Sequence, residues 1–142
     1  MGQQQLLLLV LGIVIVGIAV VAGIQAFSEG KSKADRDAAT SDAMRVISDL
    51  QAWKLKPAAF GGGASTDNND FTAGGTTAAN IFSRLGLPAT SGQYSTSAAR
   101  IRIVPGADNA VLTVRSASDT TKVLATVTVD GTSQNNITWA YN

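Results

Sequence analysis

The chain contains no cysteine and no histidine. Without cysteine there are no disulfides, no zinc–thiolate sites and no thiol nucleophiles, although an extracellular location stays open. Without histidine the commonest general base and metal ligand is gone. Catalysis would fall to Asp, Glu, Lys, Ser or Tyr, so the composition leans toward a structural or binding role and away from an enzyme. Aromatics are also few, with four Phe, two Trp and two Tyr. That number argues against a platform for stacked bases. Eleven basic and ten acidic residues leave a net charge of +1, so no large field gathers nucleic acid or acidic lipid. The sequence has no Gly-rich phosphate loop, catalytic triad or pair of carboxylates at working spacing. Neither a cofactor nor a nucleic-acid partner is expected.

What is present is concentrated at one end. From Leu6 to Ile24 there is no charged or strongly polar side chain, and 14 of these residues are Leu, Ile or Val. Residues 6–26 form a helix of about 31 Å, the thickness of a bilayer core. Insertion into lipid is favoured by roughly 4–8 kcal/mol before the glycines are charged against it. The run is longer than a signal-peptide core and is preceded by Gln3, Gln4 and Gln5 rather than by basic residues. It is therefore expected to stay on the mature chain, which would begin at Met1 or Gly2. Gly12, Gly17, Ala19, Ala22 and Gly23 interrupt the bulky side chains. Ala19 and Gly23 form a small-xxx-small pair that lets helices approach closely, while glycine is also simply frequent in membrane helices. Lys31, Lys33 and Arg36 follow the run, which by the positive-inside rule points the remainder toward the cytoplasm. Glu29, Asp35 and Asp37 are interleaved with them and dilute that signal.

The helical pattern continues to Pro57, which cannot extend it. Ala43, Val46, Ile47, Leu50 and Trp53 recur at helical spacing and give residues 31–55 one apolar face. A helix over residues 1–56, about 78 Å between Gln4 and Leu55, is longer than a small domain can cover. Its first half must be buried by lipid or by other subunits.

Residues 57–142 read as a β-rich domain. "AAFGGGASTDNNDFTAGG" is loop. A short helix is expected in "TTAANIFSRLGLPA", with Thr76 or Thr77 as N-cap and Gly86 closing it. The period then becomes two. Strands are expected at Ala99–Val104, Ala110–Ser116, Lys122–Val129 and Asn136–Tyr141, separated by "PGADN", "SASDTT" and "DGTSQN". Four strands in meander order make an antiparallel sheet, and the helix stripe is its natural cover. The fold class expected is α+β.

Laid out in this way, with "MGQQQLLLLVLGIVIVGIAVV" at the start and "AWKLKPAAFGGG" after the helix, the chain resembles the type IV pilin superfamily. In particular it resembles small pilin-like proteins of Bacteroidota and neighbouring phyla. The resemblance implies a structural subunit of an extracellular helical filament. The subunit would sit in the inner membrane before assembly and then be packed as a homo-oligomer by a pilus-like machinery. It also implies a filament core made by Leu6, Leu9, Gly12, Ile13, Gly17, Ala19, Gly23 and Phe27, with Ala43, Val46, Ile47, Leu50 and Trp53 packing on the sheet. The chain departs from the family pattern in having no basic leader before Gly2, no acid before Glu29 and no C-terminal disulfide loop. Two other readings stand beside this one: a membrane-anchored pseudopilin or periplasmic module of a secretion system, and a tethered enzyme or solute-binding domain, which would need a polar pocket.

Lesser signals are "TDNND" (residues 66–70) and "NIT" (residues 136–138). The first offers oxygen ligands of the kind Ca²⁺ takes but lacks EF-hand spacing, so a solvated loop is preferred. The second is an N-glycosylation tripeptide that also arises by chance. Phe27, Trp53 and Phe60 are too far apart along a helix to form a stacked path, and packing is their expected role.

Overall fold

The computed structural model describes residues 2–65 and 70–142. Met1, on which the expected start falls, and residues 66–69 of the "TDNND" loop lie outside the described residues. The chain forms two compact units, one up to Ala34 and one from Asp35 to Asn142.

Helix α1 runs from Gly2 to Leu55 without a break. No proline precedes Pro57, and Gly30 is carried within the helix. In the second unit, Ala43, Val46, Ile47, Leu50 and Trp53 are all buried, and Ala39 extends their stripe one turn earlier. They join a single apolar cluster with Ile101, Ile103, Leu112, Val114, Val127 and Val129. Burying each aliphatic side chain of this kind is worth about 1.5–3 kcal/mol, so this stripe is the principal attachment of helix to sheet. Polar contacts flank it. Thr96 Oγ1 donates to Asp42 Oδ2 at 2.5 Å, Gln51 Nε2 to the Ser133 carbonyl at 3.3 Å, and Arg36 Nη2 to the Asn142 carbonyl at 3.1 Å.

The sheet has six strands rather than the four expected. They are β1 (Ala89–Thr90), β2 (Gln93–Ser95), β3 (Ala99–Pro105), β4 (Ala110–Ser116), β5 (Val123–Val129) and β6 (Ile137–Tyr141), paired antiparallel in sequence order. The two extra strands are short and polar, so they carry no alternating pattern. They pair because Ser91 and Gly92, with φ of 54° and 72°, form a two-residue turn of the kind that suits hairpin twist. Register puts Ile101 opposite Val114, Ile103 opposite Leu112 and Leu112 opposite Val127. These residues face the helix. Arg100, Arg102, Thr113, Arg115, Thr126 and Thr128 alternate with them and take the other face.

The short helix α2 spans Ile81–Arg84 and starts later than Thr76 or Thr77. Asn80, at its N-cap, turns its Oδ1 back to the Thr77 amide at 2.7 Å and closes a turn there. Such local side-chain bonds compete with helix formation. Gly86, with φ of 72°, ends the segment as expected.

The end of α1 is held by the loop that follows. Gly63 N donates to Trp53 O at 3.0 Å and Ala64 N to Lys56 O at 3.2 Å, satisfying carbonyls that a helix end leaves open. Gly61 has φ of 77°. A Cβ on Gly62 would lie 1.9 Å from Lys56 O, and one on Gly63 would lie 2.3 Å from the Trp53 ring. The three consecutive glycines thus allow the chain to return flat against the helix. Lys54, 2% exposed, donates its ammonium to Gly63 O at 2.9 Å, to Ser65 Oγ at 2.8 Å and to Asp70 O. It also lies 5.9 Å from the centre of the Phe71 ring.

Candidate functional site

The feature without a partner in the chain is the first part of α1. Leu6 through Ile24 are helical and exposed on every side. The residues expected in a filament core follow suit: Leu6 is 65% exposed and Phe27 is 77% exposed, and Leu9 and Ile13 lie between them in sequence with comparable exposure. A soluble monomer rarely exposes more than a few hundred Å² of contiguous apolar surface, and a helix apolar all round is one that is covered by lipid or protein. By length and composition this is one helix able to cross a membrane.

Among the described residues nothing packs closely on its glycines. A Cβ built on Gly12, Gly17 or Gly23 meets nothing within 4 Å. Each glycine costs roughly 1 kcal/mol of helix stability relative to alanine, and no intramolecular contact offsets that. At about 100° per residue, Gly12, Ala19 and Gly23 fall on one face within about 40°. Gly17 lies about 140° around from Gly12, so it does not share this face. Leu6, Leu9 and Ile13 project to the side between them. The helix therefore presents a narrow track of small residues beside a broad bulky one.

The surface carries no titrating group, because the first charged side chain is Glu29. It can exclude water and pack, and it offers no proton or electron chemistry. The perturbed carboxylates lie elsewhere. Asp70 is held below the ordinary carboxylate range by hydrogen bonds from the Thr72 hydroxyl and then the Thr72 amide, with a smaller contribution from the Lys54 ammonium. Asp119 is lowered in the same way by Thr121. Among the described residues no three of Asp, Glu, His and Cys gather into a metal-holding group.

Two features escaped the sequence reading. Lys54 flanks the apolar stripe and looks like a solvated charge, yet it is the hub of the returning loop. Arg115 lies across the sheet from Arg100, a juxtaposition that depends on strand register. Comparison with protein-family models, with curated proteins and with solved structures finds no match to this chain.

Proposed function

We propose that this chain is the structural subunit of an extracellular helical filament of the type IV pilin-like kind, built by packing its N-terminal helices against one another. The observation that carries the reading is the fully exposed apolar stretch of α1, continuous with a helix segment seated on an antiparallel sheet. The subunit waits in the inner membrane, where lipid covers residues 6–26, and a pilus-like machinery then moves it into a bundle where neighbouring helices take over that role. The track of Gly12, Ala19 and Gly23 supplies the close approach such a bundle needs. The domain stays outside the core and no enzymatic step is required of it. Negative-stain microscopy of material sheared from cells making the chain tests this. Fibres composed of this subunit support the filament. If the protein stays in the membrane fraction with no fibres, it is an anchored pseudopilin or periplasmic module instead.

A further inference from the structure

The outer face of the sheet carries a concentration of positive charge that the filament reading does not use. Arg100 on β3 stands directly opposite Arg115 on β4, and Arg102 follows two residues along β3. Opposed Cβ atoms in such a pair are about 5 Å apart, and alternate residues of a strand about 7 Å. Three guanidinium stems therefore rise from one small patch. Like charges directly opposed across strands destabilise a sheet, so the arrangement is unfavourable for folding. It does not follow from an overall basic protein either, because the whole chain has a net charge of only +1.

Little on the protein neutralises the patch. Arg115 Nη1 donates to the Thr120 carbonyl at 3.0 Å, which orients the guanidinium and leaves its charge intact. Among the described residues, the guanidinium groups of Arg100 and Arg102 make no hydrogen bond or ion pair, their backbones alone being paired in the sheet. The neighbouring acid in sequence, Asp119, accepts at its Oδ1 from the Thr121 amide and hydroxyl at 3.0 and 2.7 Å and keeps its charge, one negative against three positive. The arginines line a groove of about 510 Å³ with Ser91, Gln93, Thr113, Thr120 and Thr121. That volume is in the range of small-ligand sites.

We infer that this groove binds an acidic polysaccharide, with the arginines holding its sulfate or carboxylate groups. Guanidinium forks match planar and tetrahedral oxyanions in bidentate fashion. The hydroxyl and amide side chains around them are the partners a hydroxyl-rich sugar chain needs. The lining contains no aromatic ring, so bases have nothing to stack on and a single-stranded nucleic acid fits poorly. Its one apolar side chain is Val104, too little to enter a bilayer beside anionic headgroups.

The test uses the full-length chain in detergent micelles, with fluorescent heparin as the acidic polysaccharide, uncharged dextran and a single-stranded oligonucleotide. Heparin is expected to bind in a salt-dependent way, and dextran is not. Replacing Arg100, Arg102 and Arg115 together by Thr is expected to weaken heparin binding about a hundredfold, at roughly fivefold per exposed charge contact. The melting temperature should change little, because relief of the opposed charges offsets loss of the exposed bond from Arg115 to the Thr120 carbonyl. Arg102→Thr alone, which touches no intramolecular bond, is expected to cost about fivefold. The double change Lys31→Thr and Lys33→Thr removes charge elsewhere and is expected to leave binding within about twofold. The proposal is overturned if wild type fails to bind heparin at low salt, or if the lysine variant loses as much as the arginine variant. It also fails if the oligonucleotide binds more tightly than heparin. If the arginine changes alter self-association and leave heparin binding untouched, the face is an interface between copies and not a glycan site.

Discussion

Replacing each of the three loop glycines by alanine, one at a time, should give a graded loss of stability. At Gly61 the added Cβ meets nothing, and the cost is that of holding an L-residue at φ 77°, about 1–2 kcal/mol. At Gly63 the Cβ would lie 2.3–2.8 Å from three carbons of the Trp53 ring, so the indole must move. Overpacking of this sort costs about 1–3 kcal/mol. Displacing the ring also breaks the bond from Trp53 Nε1 to the Gly61 carbonyl, worth about 1 kcal/mol. Gly63→Ala should therefore lose about 2–4 kcal/mol in all. At Gly62 the obstacle is backbone, since the Cβ would sit 1.9 Å from Lys56 O. Relief there requires pulling the loop off the helix end, with a loss of about the same size or larger. The assay is equilibrium urea unfolding of the full chain in detergent, followed by the fluorescence of Trp53 and Trp139, with thermal melts as a second measure. For a domain of about a hundred residues, the Gly63→Ala loss corresponds to a melting temperature lower by about 10–20 °C. Should all three variants unfold within roughly 0.5 kcal/mol of wild type, the size of an ordinary surface change, the close return of this loop onto the helix would be refuted.

Three further outcomes are expected. Lys54→Met removes the donor shared by Gly63 O, Ser65 Oγ and Asp70 O, and should destabilise by about 2–4 kcal/mol in the same unfolding assay; an unchanged midpoint would show that the ammonium is dispensable. The lowered pKa of Asp70 means that its hydrogen bonds stabilise the fold above the unfolded carboxylate value and that this contribution is lost as pH falls below about 4. Wild type should accordingly lose stability more steeply than Asp70→Asn as pH falls below about 4, and parallel acid curves for the two would contradict the assignment. Gly23→Leu adds bulk on the small-residue track but favours lipid, so it should keep normal amounts in the membrane fraction while depleting the sheared filament fraction. Normal filament yield would mean that Gly23 faces no neighbour.

The parts of this fold that were legible are those set by local pattern. Residues Ala43 to Trp53 carry their helical stripe in the sequence, and β3 to β6 alternate with period two, so both could be placed before any pairing was known. The β1–β2 hairpin was not legible, because two- and three-residue polar strands have no period to read. Only the Ser91-Gly92 turn dipeptide signals it. The burial of Lys54 depends on a loop returning from as far as Asp70, and the Arg100–Arg115 opposition depends on register, both of which are non-local. The apolar surface of α1 was legible because an uninterrupted run is a local property. What covers it is not, since a sequence does not name groups that lie outside the chain.

The central claim is that assembly runs through residues 3–27 and not through the sheet. Its most direct test compares the full-length chain with a chain beginning at Glu29, each examined by light scattering and electron microscopy after removal of detergent. The account predicts that the full-length chain forms filaments and that the shortened chain stays a soluble monomer. Filaments of the same form from the shortened chain would contradict it.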